Sequence, residues 1–325
     1  MLTLVGNFNL TTYVLYTFIT AAAAYVLVAL AVRVFAINDP RLRARLYMLP
    51  LLLPVIGYLF LCPTSGQGCS QGNLLWYKVE QLFCRLRGQF SPYWGLFFLV
   101  IFGFSCLRFA LRLLNYHLLL RRCRPVAAGE APVLEEITAK LAGEAGLIPP
   151  RLYWCEGKRY PVCFTFGFRK AGIAVSRELL QHLTGEELEA VLAHEMGHLA
   201  GRDYFLGWLL VVCRDLMAFN PIGYLSLQNF MWEREKACDD YARRLTSQPL
   251  VLAQSLVKLG RLLRQRRAAP LLQPGAPIVG KQRAGLLSRR VERLVLSDPP
   301  ENQWWQRILP IIITAGIILL LLAAC

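Results

Sequence analysis

The sequence predicts a mainly α, polytopic membrane protein with one small α+β domain set between its apolar segments. Three observations predict it. Hydrophobic residues make up 55% of the 325 positions, and many of them gather in long runs near the two ends. The cations gather beside those runs. Two of the chain's four histidines stand in one five-residue motif, His194-Glu195-Met196-Gly197-His198, in the more polar stretch between.

The apolar runs come first. No charged residue precedes Arg33, and Thr11 to Val32 is long enough to cross a bilayer, which takes about 20 apolar residues. It lacks a basic leader, so a cleaved signal peptide is the weaker alternative. Met48 to Cys62 is a second run, interrupted by Pro50 and Pro54; Phe90 to Leu107 is a third; Ile308 to Cys325 is a fourth. The expected organisation is therefore residues 1–120 with three transmembrane helices and a short outer loop at about 63–93, a domain over 121–307, and a final transmembrane helix over 308–325. Tyr204 to Trp232 is also apolar, but Arg214, Asp215 and Pro221 break it. At that polarity it reads as a buried or interfacial hairpin, about 204–231, rather than a span.

The net charge of +15 is distributed as a membrane protein distributes it. Arg33, Arg41, Arg43 and Arg45 lie between the first two runs. Arg108, Arg112, Arg121, Arg122 and Arg124 follow the third, and the stretch from Lys258 to Arg293 precedes the fourth. All fall on one side if the N-terminus is outside, the positive-inside pattern, and anionic inner-leaflet lipid attracts the same residues. No nucleic-acid recognition motif accompanies the charge, so no nucleic-acid partner is expected. This topology puts 121–307 on the cytoplasmic side of the inner membrane. Of ten cysteines, Cys62, Cys69 and Cys84 fall on or near the outer loop, where an odd count fixes no connectivity. Cys155, Cys163 and Cys238 are expected to be reduced.

Within the central domain, Ala131 to Ala145 reads as an amphipathic helix. Arg151 to Trp154 and Val162 to Val175 read as strands, with Gly157 and Gly167 near turns or bulges. Thr184-Gly185-Glu186-Glu187 is a helix start, a threonine cap with Glu187 three residues on. Leu188, Val191, Leu192 and Leu199 continue it as an apolar stripe, so the motif lies well inside a helix. Residues 260–286, with Pro270, Pro274, Gly275, Pro277 and Gly280 among basic residues, read as an exposed loop.

On a helix, positions i and i+4 share a face, so His194 and His198 can aim two imidazoles at one metal ion. The bland alternative is a buried helix whose histidines make ordinary hydrogen bonds. Glu195 follows the first ligand directly and can take the proton of an attacking water. Gly197 costs about 1 kcal/mol of helix propensity against alanine; it allows another backbone to come close or serves helix packing. Two histidines do not close a catalytic zinc site, which needs a third protein ligand. Trp232 to Ala242 offers candidates. Glu235 and Asp239 are again i and i+4, so one can bind the metal while the other holds the outer nitrogen of a ligand histidine. Spacing alone does not separate Glu233 from Glu235, and a solvated charged helix face is the competing reading.

Four segments together carry a family resemblance. They are Phe164 to Ile173 with its Thr-Phe-Gly, His194 to Asp203 as H-E-x-x-H-x-x-x-x-D, Phe219-Asn220-Pro221, and Arg234-Glu235-Lys236-Ala237-Cys238-Asp239-Asp240. In this order they resemble the BlaR1/MecR1-type membrane metallopeptidases, family M56 of the gluzincins, with the related M48 proteases as a distant alternative. The resemblance implies a zincin-like metalloprotease domain with one zinc ion per chain, Glu235 as third ligand beside His194 and His198, and Asp239 and Asp203 as supporting carboxylates. The outer loop at about 63–93 is short and the chain stops at the fourth run, so an outer β-lactam sensor is not expected.

The expected function is thus zinc-dependent hydrolysis of a protein or peptide substrate at the cytoplasmic membrane face, with Glu195 as general base, in regulatory or signalling proteolysis. An M48-like membrane quality-control protease is one alternative; a non-catalytic module holding structural zinc is another, although such a site needs no base. Intramembrane proteolysis is disfavoured because Thr184, Glu186, Glu187 and Glu189 make the motif helix start too polar for a bilayer core. No oxyanion donor is identified. Arg289, Arg290 and Arg293 lie on a downstream helix that reaches either the site or the lipid.

Overall fold

The structure is a computed structural model that describes residues 10–61, 96, 99–155, 163–167, 172–265 and 280–296, with 308, 312, 315 and 316. The expected outer loop at 63–93, the start of the third run, Gly157, residues 168–171 of the Thr-Phe-Gly segment, most of the 260–286 loop and nearly all of the fourth run lie outside the described residues. The chain groups into two compact units. Unit 1 comprises 1–111, 210–230 and 302–325; unit 2 comprises 112–209 and 231–301.

In unit 1, α1 (Leu10–Val34) packs on α2 (Pro40–Leu61). One face of α1 is small and buried, with Ala21, Ala24, Val28 and Ala31, and the opposite side leaves Phe18, Val26 and Leu30 bare. Small residues let two backbones approach closely where no water drives association. The buried hydroxyls turn back on their own helix: Thr17 donates to Tyr13 O at 2.8 Å and Thr20 to Tyr16 O at 2.5 Å. The helix of α2 continues through Pro50 and Pro54, so these prolines do not end the second run. α3 (Leu99–Leu120) is a helix of 22 residues, about 33 Å long at 1.5 Å per residue. It runs past Leu107, where the third run was expected to stop. Arg108 is accommodated inside it by donating to Tyr224 Oη at 3.0 Å, with its cation 5.6 Å from the Phe104 ring centre. Among the described residues, Tyr16–Val34 and Leu99–Leu120 are the two helices long and apolar enough to cross a membrane; four spans were expected.

Unit 2 is built on a four-stranded sheet of order β1-β2-β4-β3. Its strands are β1 (Cys123–Pro125), β2 (Arg151–Cys155), β3 (Cys163–Phe166) and β4 (Gly172–Val175). β2 and β4 are parallel, with Leu152 opposite Ile173, and the outer pairs are antiparallel. Pro125 lies on an edge strand, where a missing N–H costs nothing. β4 is buried along its whole length, and its alternation serves both faces. Ile173 and Val175 join a core with Leu134, Leu141, Trp154, Leu188, Leu192 and Met196. Ala174 faces Leu119, Cys155 and Phe164 on the other side. Gly172 is closely packed there: a Cβ would lie 2.9 Å from Phe166 Cζ and 3.0 Å from Tyr153 Cε2, so the rings would have to shift.

The helices of unit 2 supply the rest. α4 (Pro132–Glu144) and α6 (Gly185–Ala200) pack together, and α6 also packs on β3 and on α9 (Pro249–Gln265). α5 (Arg177–His182) starts on Ser176, whose Oγ accepts from Leu179 N. α10 (Gly280–Leu296) lies against α9. α7 (Asp203–Leu216) and α8 (Pro221–Thr246) cover the apolar stretch 204–231, each with part of its length in unit 1. α8 does not stop at 231. It continues unbroken through the Arg234–Asp240 motif.

Candidate metal centre

The register of α6 is set at its first turn. Thr184 Oγ1 accepts from Glu187 N at 3.3 Å while Glu187 Oε2 accepts from Thr184 N at 2.9 Å, a complete capping box that satisfies two orphan donors. Lys258 of α9 closes on the same carboxylate at 2.7 Å. Burial would raise Glu187, but Lys258 and the Thr184 amide outweigh it and hold the carboxyl below its ordinary value. From this start the apolar face packs Leu188, Leu192 and Met196 into the core. His194 and Glu195 are then buried, at 7% and 8% exposure, with the two imidazole rings 5.0 Å apart and nearly perpendicular.

α8 is positioned by its own cap. Asn220, fully buried, accepts from Ile222 N at 2.9 Å and donates to Thr17 O at 3.1 Å. Pro221 follows at the first helical position, where its missing N–H is not needed. Near the other end, α8 comes against α6 at Gly197. A Cβ on residue 197 would lie 3.1 Å from Cys238 Cα and 3.3 Å from Cys238 Sγ. The glycine is therefore the contact at which the two motif helices meet.

That contact brings Glu235 opposite both rings. Glu235 Oε2 is 3.7 Å from His194 Nε2, and Glu235 Oε1 is 3.8 Å from His198 Nε2. These gaps are too long for hydrogen bonds. They approach the separation of about 3.3–3.4 Å that two ligands adopt on one tetrahedral zinc with bonds near 2.0–2.1 Å. The outer nitrogens face carboxylates: His194 Nδ1 is 3.0 Å from Asp239 Oδ1 and His198 Nδ1 is 2.8 Å from Asp203 Oδ2. Arg234 pairs with Asp203 in turn. Potential ligand atoms of His194, Glu195 and His198 all lie within 4.8 Å of one another, as do those of His198, Asp203 and Cys238.

Four carboxylates gather around the rings. Arg234 pairs with Asp203, and Arg290 pairs with Glu235 and Asp239; Glu195 lies in one group of potential ligand atoms with His194 and His198. Burial opposes protonation of His198, but Cys238, Glu235 and Glu195 overcome it and raise the imidazole to about 10. His194 is raised by Asp239 and Glu235 against burial. Burial would raise Glu235 and Asp239, yet Arg290 above all holds both low. Two imidazole nitrogens and a carboxylate, each with its far side anchored, are the donor set and outer support that zinc takes. The residues fit the ion. On β3, Cys163 borders the site, its thiol pushed well up by burial and by the Glu195 charge.

All six residues named from the sequence come together in unit 2: His194, Glu195, His198, Glu235, Asp239 and Asp203. Glu233 instead pairs with Lys236 at 3.0 Å. By sequence, Arg290 fits either the site or the lipid. It reaches the site, with Nη1 2.8 Å from Glu235 Oε2 and Nε and Nη2 on Asp239 at 2.8 and 2.6 Å. Arg293 binds Asp240 at 2.7 Å. In the sequence Cys238 and Arg234 stand out only as members of the Arg234–Asp240 motif. Their position one residue before Asp239 and one before Glu235 was the available signal.

A family model for the BlaR1 peptidase M56 matches residues 93–267. The chain is also similar to proteins named Protease HtpX homolog. It is 42% identical over 88 residues to that of Pelotomaculum thermopropionicum, covering 26% of this chain and 31% of the relative. It is 32% identical over 188 residues to that of Methanothermobacter thermautotrophicus, covering 50% and 70%. With that of Acaryochloris marina it shares 31% over 169 residues, covering 41% and 57%. The matched part thus spans from 31% to 70% of these relatives' own length.

Proposed function

Because the chain belongs to the BlaR1 peptidase M56 family, we propose that it is a zinc-dependent endopeptidase of the inner membrane that cleaves a protein substrate at the cytoplasmic face. The observation that carries this reading is the convergence of His194 Nε2 and His198 Nε2 on the two oxygens of Glu235, with Glu195 beside them. In this reading residues 121–307 form the protease domain, the N-terminus is outside, and the lipid bilayer is the protein's second partner.

His194, His198 and Glu235 hold the ion, and Asp239 and Asp203 hold the two imidazoles in the tautomer that leaves Nε2 free to donate its lone pair. Bound zinc supplies Lewis acidity, acidifying water and polarising a carbonyl. Glu195 takes the proton of the attacking water and delivers it to the leaving amine, a role worth about 10²–10⁴-fold. Among the described residues β3 is an edge strand of the sheet, and it packs on α6. An extended substrate can add to that edge by main-chain hydrogen bonds, with little sequence demand.

The role in the cell is regulatory proteolysis in this proposal. The likeness to HtpX homologues favours a second reading, an M48-like membrane quality-control protease with the same chemistry. Comparing cleaved N-termini in cells carrying the parent or Glu195→Ala separates the two: a few defined substrates support regulation, and many unfolded membrane proteins support quality control. In vitro, Glu195→Ala should keep zinc and lose cleavage, whereas His194→Ala should lose zinc. An active Glu195→Ala enzyme would overturn the assignment of the base.

A further inference from the structure

We infer that Arg290 is a positioning residue of the candidate metal centre, fastening two of its three ligands from α10. This rests on the reading of His194, His198 and Glu235 as ligands. The guanidinium commits all three nitrogens to carboxylates. Nη1 faces Glu235 Oε2 at 2.8 Å; Nε and Nη2 grip Asp239 at 2.8 and 2.6 Å. Asp239 Oδ1, the oxygen held by Nη2, is also the one 3.0 Å from His194 Nδ1. Arg290 therefore reaches one ligand directly and a second through Asp239.

The side chains of Arg290 and Asp239 are 13% and 2% exposed, so water does little of this work. Asp239 is buried enough that His194 alone would leave its second oxygen unsatisfied, which a charged group in the interior does not tolerate. A cation so near Glu235 repels a metal ion, but it faces two carboxylates at hydrogen-bond distance, and their attraction dominates at that range. Lysine could not substitute in full. A planar fork bridges two carboxylates at fixed angles, whereas an ammonium is a single mobile point charge. Three of the five N–H donors of the guanidinium are committed to these two carboxylates. One turn on, Arg293 binds Asp240 at 2.7 Å and Lys236 O at 3.3 Å, which docks the same face of α10 on α8. Arg289 is exposed and takes no part.

The test uses the full chain in detergent, loaded with zinc, and follows transfer of the metal to a chromogenic chelator. Loss of an outer partner of a ligand typically costs about 10–100-fold in metal affinity. Arg290→Met should release zinc faster by about that factor, Arg290→Lys by an intermediate factor, and Arg289→Gln at the parent rate. Cobalt(II) loading adds a readout that helix packing alone does not move: the visible spectrum should change in Arg290→Lys, which retains charge and fold, and stay unchanged in Arg289→Gln. Parent-like release and spectrum in Arg290→Lys would overturn the inference while leaving the ligand set standing. A parent chain that holds no zinc would overturn the ligand set itself, and the inference with it.

Discussion

Gly197→Ala is the substitution that tests most directly how the site is assembled. It inserts one methyl where α6 meets α8, 3.1 Å from Cys238 Cα, 3.2 Å from its Cβ and 3.3 Å from its Sγ. Carbon atoms rest at about 3.5–4.0 Å, so α8 must yield by about half an ångström, and backbone is the atom in the way. Two effects oppose each other in stability. Replacing a mid-helix glycine gains about 1 kcal/mol; overpacking costs about 1–3 kcal/mol. The net change in stability should be small, and unfavourable by no more than about 2 kcal/mol. The site should suffer more, because Glu235 rides on α8 within a turn of Cys238 and a functional constellation tolerates only about 0.5 Å. A displacement of 1 Å can cost about 10²-fold, so half of that should lower kcat/KM on the order of 10-fold. The assay is hydrolysis of a quenched fluorescent peptide by the zinc-loaded chain, with thermal unfolding followed in parallel. Parent turnover in a folded Gly197→Ala variant would refute the argument that this contact sets the distance from the rings to Glu235.

Thr184→Ala removes half of the capping box and should cost about 0.5–2 kcal/mol, read as a lowered unfolding midpoint with bound zinc unchanged. Glu187 binds its proton more weakly when folded than its ordinary 4.5. Its stabilisation is therefore complete above that value and lost as pH falls through the folded pKa. The parent's lead in stability over Glu187→Gln should shrink on acidification below about pH 4.5, as measured by chemical denaturation across that range. Asp203→Asn should weaken zinc retention by about 10–100-fold through His198, measured by competition with a chelator. Leu192→Ala, at a fully buried core position, should destabilise unit 2 by about 2–5 kcal/mol, measured by denaturant unfolding.

Much of the site was legible because its information is local. His194 and His198, like Glu235 and Asp239, are one turn apart on their helices, and the Thr184 cap announces where α6 begins. The strands around Gly167 and the α4 helix follow from period and turn residues in the same way. What escaped is settled by partners far along the chain. Arg290 is 51 residues from Asp239, and nothing local distinguishes it from Arg289 except the face of an amphipathic helix. The third run looked finished at Leu107 because Arg108 is charged; Tyr224, 116 residues away, lets the helix carry it. Glu233 and Glu235 were indistinguishable by spacing, and separate only because two positions along a helix point about 160° apart in projection, one to Lys236 and one to the rings.

The clasp between α8 and α10 also imposes a timetable. At about 5–20 residues per second, the ribosome needs several seconds to pass from Asp239 to Arg290. During that interval both histidines and all four carboxylates already exist, yet the arginine that steadies them does not. On the proposed reading, the site can take its full grip on a metal ion only after α10 has been made.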